Sequence, residues 1–307
     1  MSTDTIETHY PPLSLLLCVH NGAAYLPACL NSILTQSFTD FELIIMDDCS
    51  TDDSPAILAA LTDPRVKIFR NPENLGLTKS LNLGLELVQG NYIARIDADD
   101  TMHPTRLQHQ VDFLENNPDY GIVGSFAQQM DADGTPTSIQ KMPVTNAEIQ
   151  WFSLLSSPFL HPTVMLRKST LDAHALTYDT TFRTTQDYDL WARMLTVTKG
   201  HNIPLPLTHL RVHEGAISHT KKAAQFTNHQ TIACLTIQAR CGIDLPPAII
   251  TTLLEAFHQP RHSLSWRELG GAIRQYLRLY RAFRKNNPAR PVLKTVLLRI
   301  ARAVLRR

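Results

Sequence analysis

The sequence predicts an α/β fold built on a mostly parallel, doubly wound sheet, and three observations support this prediction. Continuously apolar runs occupy residues 13–19 and 41–47, as expected for strands buried on both faces of a parallel sheet. Apolar residues at helical spacing follow each run, so strands and helices alternate from residue 13 to about residue 115. Polar clusters stand at the carboxyl ends of the strands, where such sheets bind ligands.

The elements of this first half can be assigned in order. The first strand, LSLLLCV, stops at the turn sequence His20-Asn21-Gly22, and FELIIMD completes a β-α-β unit with the helix between them. The predicted helices cover 24–36, 54–61, 78–88 and about 104–114, and the later strands cover 66–70 and 91–97.

The regular alternation weakens after Pro118. A strand is predicted over 122–131, a turn follows at DADGTP, and a segment of mixed character reaches about residue 220. From residue 223 the pattern is helical, with breaks expected at Pro246-Pro247, Pro260, Gly270-Gly271, Pro288 and Pro291. We therefore expect one domain over residues 10–222, divided at about residue 115, and a helical C-terminal region over 223–307.

Composition limits the classes of protein to consider. With 43% apolar and 19% charged residues, the 307-residue chain matches a soluble globular protein, and it contains no run of 18 apolar residues. The cysteines are odd in number and form no CxxC pair, which predicts reduced thiols: Cys18, Cys29, Cys49, Cys234 and Cys241. The N-terminus lacks the pattern of a secretory signal, so we expect a cytoplasmic protein.

Charge is distributed unevenly along the chain. From Arg261 onward there are 13 Lys and Arg residues against the single acid Glu268, a balance of +12, which leaves −11 for residues 1–260 of a chain whose net charge is +1. Two amphipathic helices lie in this basic tail. The first helix has an apolar stripe of Ile273, Leu277 and Tyr280 and the cationic residues Arg274, Arg278 and Arg281. The second helix has an apolar stripe of Val292, Val296, Ile300 and Val304, and the cationic residues in or just after it are Lys294, Arg299, Arg302, Arg306 and Arg307.

Such helices often lie on anionic membrane surfaces, and we expect the tail to place the protein on the inner face of the cell membrane. The alternative is that the helices pack on the preceding domain. Nucleic acid is not an expected partner, because the first part of the chain is acidic and no nucleic-acid-binding motif accompanies the tail.

The cluster Asp97-Ala98-Asp99-Asp100 follows the strand at 91–97. Because Asp97 and Asp99 are two residues apart at a strand end, both carboxylates can be directed at one hard cation, for which Mg²⁺ or Mn²⁺ is suited. The alternative is that Asp99 or Asp100 caps the helix that begins near Pro104.

A second acidic cluster, Asp47-Asp48-Cys49-Ser50-Thr51-Asp52, follows the second strand. A carboxylate held there can accept a hydrogen bond from a nucleotide base. The alternative is helix initiation, with Ser50 or Thr51 as the N-cap and the acids favoured by the helix dipole.

Three segments together resemble the inverting glycosyltransferases of family 2, which have the GT-A fold and include bacterial cell-surface polysaccharide enzymes. They are LSLLLCVHNGAAYLPACLNSILTQSF, FELIIMDDCSTDDS and NPENLGLTKSLNLGLELVQGNYIARIDADD, and they cover residues 13 to about 115. The resemblance implies a donor nucleotide site at His20, Asn21, Asp48, Asn74, Lys79 and Asp97, and a metal site at Asp97 and Asp99.

In the second half, Gln186-Asp187-Tyr188-Asp189-Leu190-Trp191 resembles the family's Glu-Asp-x-Asp-Leu-Trp, which makes Asp187 the expected catalytic base. Gln186 stands where a Glu is frequent, so a neighbouring charge is missing. The alternative is that Asp187 or Asp189 only caps a helix. Looser matches add His161, with Asp100, on the acceptor side, Arg211 as a partner of the donor diphosphate, and His213 as a metal ligand or phosphate contact.

The resemblance implies a hexosyltransferase that uses a nucleotide diphosphate sugar, with UDP as the expected nucleotide. The acceptor would be a saccharide or a lipid-linked saccharide in the synthesis of polysaccharide, lipopolysaccharide, O-antigen or capsule. Two alternatives belong to other classes: a non-catalytic homologue that binds sugar nucleotides, and a sugar nucleotidyltransferase. The latter is disfavoured because the first strand is not followed by a glycine-rich, basic sequence.

Overall fold

A computed structural model describes residues 11–213, 222–257, 265–286 and 292–305. Its first four strands are parallel and adjacent in the order β3-β2-β1-β4; they are β1 (Leu13–Val19), β2 (Phe41–Asp47), β3 (Val66–Arg70) and β4 (Tyr92–Asp97). The chain moves outward from β1 to β3 and then crosses back to β4. This reversal places the carboxyl ends of β1 and β4 side by side, the usual position of a ligand site in such sheets.

The sheet continues beyond β4 with strands from the second half of the chain. They are β5 (Thr101–Met102), β6 (Tyr120–Met130), β7 (Pro136–Gln140), β8 (Met165–Arg167) and β9 (Lys199–Arg211). The order is β4-β8-β6-β9-β5, and β7 pairs with β6. Because β5 pairs antiparallel with β9, Thr101 opposite His209, the end of β9 is brought beside the acidic cluster that follows β4.

Helices cover both faces of the sheet. They are α1 (Leu26–Leu34), α2 (Ser54–Ala59), α3 (Leu77–Leu87), α4 (Arg106–Asn116), α5 (Asn146–Phe152), α6 (Lys168–Ala173) and α7 (Gln186–Met194). Successive strand residues point to opposite faces, so Leu15 packs with α1 and α4, whereas Leu16 packs with α3 and α7. The predicted α/β fold with a mostly parallel sheet is confirmed for this part of the chain.

In its described residues the C-terminal region contains four helices: α8 (Lys222–Cys241), α9 (Pro247–Phe257), α10 (Trp266–Asn286) and α11 (Val292–Leu305). The expected break at Gly270-Gly271 is wrong, because α10 runs through both glycines. Leu269, Ala272 and Tyr276 are buried on one side of that helix, and this packing outweighs the helix penalty of about 1 kcal/mol per glycine. None of the described helices has both the length and the apolar composition required to cross a membrane.

The helical region packs on the first domain through Trp151 of α5. Its indole Nε1 donates to the Tyr276 hydroxyl at 3.1 Å, and its ring lies edge-on to Tyr280 and Phe283. The predicted apolar stripe of α10 is therefore not free to face a membrane: Tyr280 is buried, and Ile273 and Leu277 pack against the same cluster. For the apolar stripe of α10 the packing alternative holds, because a single Trp supplies a large apolar surface for it to cover.

Candidate active site

A cavity of about 780 Å³ opens at the carboxyl ends of β1 and β4. Most of the predicted site residues line it: His20, Asn21, Asp48, Asn74, Asp97, Asp99, Asp100, His161, Asp187, Arg211 and His213. Lys79 does not. It is exposed on α3, whose residues Leu77 and Ser80 line the cavity, because helical periodicity turns the intervening Lys79 away from that face. Lys79 therefore does not line the cavity.

The loop after β1 is tied to the loop after β2. Asn21 adopts a left-handed backbone conformation with φ 53°, and its side-chain oxygen accepts a hydrogen bond from the Thr51 amide at 2.8 Å. The Gly22 amide donates to the Ser54 hydroxyl at 3.0 Å. Asn21 thus shapes this rim of the cavity.

Asp48 organises the neighbouring loop. Its carboxylate accepts from the Leu75 and Gly76 amides and from the Asn71 side chain, each at 2.8 Å. Gly76 has φ 82°, a conformation that other residues rarely adopt, and this lets its amide point at the carboxylate. Asp48 and this loop form one hydrogen-bonded rim of the cavity.

His20 joins the same rim through both ring nitrogens. Nδ1 lies 2.8 Å from the Asp48 carbonyl oxygen, and Nε2 lies 3.0 Å from the Asn74 side-chain amide. Since the carbonyl can only accept and the amide NH₂ can only donate, the neutral ring carries its proton on Nδ1. His20 is exposed at the mouth of the cavity, where a planar base could stack on it.

Asp97, Asp99 and Asp100 each offer a carboxylate oxygen, and these oxygens all lie within 4.8 Å of one another. His213 Nε2 lies 2.9 Å from Asp99 Oδ2, and Asp100 accepts from the Arg211 amide at 2.8 Å. A set of hard oxygen donors at this separation fits Mg²⁺ or Mn²⁺. The capping alternative for Asp99 and Asp100 is wrong, since the N-cap of α4 is Thr105.

Arg95 supplies one internal positive charge to this cluster of three carboxylates. Two guanidinium nitrogens of Arg95 donate to the Asp97 carboxylate, and Nη1 lies 2.6 Å from Oδ2. The Arg95 side chain is only 4% exposed. Burial raises the pKa of Asp100 well above its usual range, and the charges of Asp97 and Asp99 raise it further. Burial raises the pKa of Asp97 as well, against the opposing charge of Arg95. A bound cation would relieve this crowding of carboxylates.

Arg211 fixes the turn that carries the cluster. Its Nε donates to the Asp99 carbonyl at 3.0 Å, its Nη1 donates to the Ala132 carbonyl at 2.7 Å, and the guanidinium lies 4.5 Å from the centre of the Tyr25 ring. These carbonyls occupy donors that the predicted pairing with a diphosphate would use. Arg211 is therefore part of the wall of the cavity.

Asp187 lies in the first turn of α7, after the left-handed N-cap residue Thr185. Neither Asp187 nor Asp189 is the N-cap, and Asp189 instead pairs with Arg193 at 2.6 Å. Burial raises the pKa of Asp187, while the Tyr188 amide and the charge of Arg95 oppose that rise. A carboxylate with a raised pKa in a cavity is suited to accept a proton.

His161 contributes a neutral polar surface close by. Its Nε2 lies 3.0 Å from the Tyr178 hydroxyl, and its ring packs 6.0 Å from that of Trp191. Burial lowers the pKa of His161 well below its usual range, and the charge of Arg95 adds to the effect.

The sequence prediction missed two contributors. Arg95 is the one charged residue within the strand YIARI that precedes Asp97, and a charge in a buried strand is a signal that could have been used. Gln225 of α8 also lines the cavity. The same helix contacts the residues around Asp187: Asn228 donates to the Thr184 carbonyl at 3.0 Å, and the ring of His229 lies 4.9 Å from that of Tyr188.

A GT-A-like sheet with an acidic cluster at its switch point and the Asp187 carboxylate in the same cavity matches the class of nucleotide-sugar glycosyltransferases. The family described as "Glycosyl transferase family 2" matches residues 14–178, and the chain belongs to this family.

Curated relatives are consistent with this membership. A putative glycosyltransferase EpsE of Bacillus subtilis is 34% identical over 243 residues, 77% of this chain and 84% of the relative. The amylovoran biosynthesis glycosyltransferase AmsE of Erwinia amylovora is 28% identical over 208 residues, 66% of this chain and 76% of the relative.

Solved structures share the fold. S. aureus TarS 1-349 in complex with UDP-GlcNAc has a TM-score of 0.62 at 18% identity, covering 95% of this chain and 88% of the TarS 1-349 chain. The mannosyltransferase PcManGT of Pyrobaculum calidifontis, in complex with GDP-Man and Mn²⁺, has a TM-score of 0.56 at 17% identity, covering 91% and 88%.

Proposed function

We propose that this glycosyltransferase moves a hexosyl group from a nucleotide diphosphate sugar to an acceptor hydroxyl with inversion at the anomeric carbon. The observation behind this proposal is that one cavity contains both the acidic cluster and Asp187. A donor site without a base would suit a protein that only binds sugar nucleotides, and a base without a charged donor site would suit an enzyme with a different substrate.

The rim formed by His20, Asp48 and Asn74 would receive the nucleotide. UDP is the proposed nucleotide, supported by the UDP-GlcNAc bound to TarS, whereas the GDP-Man of PcManGT shows that the fold accepts more than one base. Asp97 and Asp99, with His213 beside them, would hold Mn²⁺ or Mg²⁺. When bound there, the ion would supply positive charge that stabilises the departing diphosphate.

Asp187 would accept the proton of the acceptor hydroxyl as that oxygen forms its bond to the anomeric carbon. The bond from the anomeric carbon to the diphosphate oxygen breaks in the same displacement, and the nucleoside diphosphate leaves with the bonding electron pair. A single displacement inverts the configuration. The neutral His161–Tyr178 pair and Asp100 would border the acceptor. A positioned base of this kind contributes about 10²- to 10⁴-fold to the rate.

The biological setting we propose is the synthesis of a cell-surface polysaccharide, which includes lipopolysaccharide, O-antigen or capsule. Support comes from the name of AmsE, an amylovoran biosynthesis enzyme. The acceptor would be a saccharide or a lipid-linked saccharide, reached by a cytoplasmic protein at the inner face of the membrane.

The test is release of nucleoside diphosphate from UDP-GlcNAc, other UDP sugars and GDP-mannose, each with Mn²⁺ or Mg²⁺ and with water as the acceptor of the hexosyl group, by the wild type and by Asp187→Asn. We expect the variant to lose about 10²-fold or more in kcat while the sugar nucleotides still raise its Tm. Asp189→Asn is the matched control, since Asp189 lies on the same helical turn and pairs with Arg193. Unchanged turnover in Asp187→Asn would remove Asp187 as the base. Binding without turnover in the wild type would favour the non-catalytic alternative, and release of pyrophosphate from a nucleoside triphosphate would favour the nucleotidyltransferase.

A further inference from the structure

Helix α10 has two chemically different sides. Its apolar side is buried in the helical core around Trp151, as described above. Its other side exposes four cations at the spacing i, i+4, i+7 and i+11, which forms one stripe along the helix: Arg274, Arg278, Arg281 and Lys285. Among the described residues, none forms an ion pair with these four.

Helix α11 also divides into an anchored side and a free side. Val296 and Ala303 are buried, and the Arg299 guanidinium lies 4.7 Å from the centre of the Phe152 ring, which fixes the helix to α5. The outward side is apolar: Leu297 is 54% exposed and Leu298 is 47% exposed. Ala301 and Val304 are exposed on the same side, since residues 297, 301 and 304 share one helical face.

This surface differs from the ordinary exposure of single apolar residues, which soluble proteins tolerate. Two leucines and a valine share one face of a short helix, inside a tail whose balance from Arg261 onward is +12. The remainder of the chain carries −11, so a negatively charged surface would attract the tail and repel the rest of the protein. An anionic bilayer offers both complementary features, phosphate charge and an apolar layer beneath it.

We propose that α10 and α11 form a docking surface for an anionic lipid bilayer. Leu297, Leu298 and Val304 enter the headgroup region, and the stripe Arg274, Arg278, Arg281 and Lys285 contacts lipid phosphates. The proposal deepens the proposed function, since a bilayer is where a lipid-linked acceptor would be found. In this arrangement the apolar contact with the bilayer comes from the outward side of α11, because the apolar stripe of α10 is buried in the protein.

The experiment is co-sedimentation of the full-length protein with vesicles of phosphatidylcholine alone or mixed with phosphatidylglycerol, at low and high salt. We expect binding to the mixed vesicles, weakened by salt, and little binding to phosphatidylcholine alone. Each cation near an anionic surface strengthens partitioning about fivefold, so Arg274→Gln/Arg278→Gln/Arg281→Gln should weaken binding about a hundredfold.

The apolar contribution is tested by Leu297→Ser/Leu298→Ser. This variant should lose about tenfold or more in vesicle binding, because two large apolar side chains no longer enter the lipid. The matched control is Ile139→Ser/Leu205→Ser, which removes two comparably exposed apolar side chains from β7 and β9, and it should bind as the wild type does.

Release of nucleoside diphosphate in solution is measured for every variant. A variant that still releases nucleoside diphosphate but no longer binds vesicles supports the docking surface. Absence of nucleoside diphosphate release by the wild type would count against the proposed function alone. Binding of the leucine variant equal to that of the wild type would overturn the proposal. So would concentration-dependent dimerisation of the wild type that the leucine substitutions abolish, because the face would then belong to a second copy of the chain.

Discussion

The salt bridge between Arg95 and Asp97 permits a test of how the fold tolerates three neighbouring carboxylates. Arg95→Met keeps an unbranched apolar stem and removes the guanidinium, which leaves Asp97 beside Asp99 and Asp100 without its internal counter-charge. Removal of one partner from a buried ion pair costs about 3–5 kcal/mol. Because Asp97 is 36% exposed, the lower value of about 3 kcal/mol applies.

For a chain of this size, about 3 kcal/mol corresponds to a fall in Tm of roughly 6 °C. The assay is thermal unfolding with and without Mn²⁺. We expect Mn²⁺ to raise the Tm of Arg95→Met more than that of the wild type, because the ion would supply the charge that the variant lacks. Arg95→Lys should lie between the two. Lys199→Met is the control, since it breaks the exposed pair with Asp119 and should cost less than about 1 kcal/mol. Equal Tm values for Arg95→Met and the wild type, or equal shifts with Mn²⁺, would refute Arg95 as the internal counter-ion.

Three further predictions concern pH, packing and helix propensity. Because burial raises the pKa of Asp187, this carboxylate should become protonated, and kcat/KM should fall, at a pH above the usual Asp pKa. A pH profile whose acid limb lies at an ordinary Asp pKa of about 4 would contradict this. Trp151→Ala should lower the free energy of unfolding by about 3–5 kcal/mol in denaturant titrations, because it empties the centre of the contact with α10; a loss below about 1 kcal/mol would show that the contact contributes little. Gly270→Ala should stabilise the protein by about 0.5–1 kcal/mol, since an added Cβ meets no atom within 4 Å. Gly90→Ala should destabilise it, because its Cβ would lie 2.5 Å from the Ser14 amide nitrogen. The reverse order of stability would contradict the packing of these two glycines.

The first half of the fold was predictable because β1 and β2 are buried on both faces. The observed bounds of β1 and β2 are those of the two apolar runs, and those of β3 match the strand predicted at 66–70. Once these strands were known to be parallel, their carboxyl ends had to meet, which placed Asp48 and Asp97 near each other. Site residues at the ends of parallel strands are therefore accessible to reasoning from sequence.

The second half depends on contacts between distant residues, and periodicity does not encode them. Strand β9 runs from Lys199 to Arg211 through Pro204 and Pro206, which argue against a strand, and irregularities in its pairing with β6 near Phe126 accommodate them. The burial of the α10 stripe likewise depends on Trp151, more than a hundred residues earlier in the sequence. A helical pattern shows which side of a helix is apolar but not what covers that side.

The contacts of α8 with Thr184 and Tyr188 make the C-terminal helices a support for the turn that presents Asp187. A chimaera that exchanged residues 222–305 for those of a relative would have to preserve partners for both. Otherwise we expect the hybrid to bind its sugar nucleotide and yet turn over slowly.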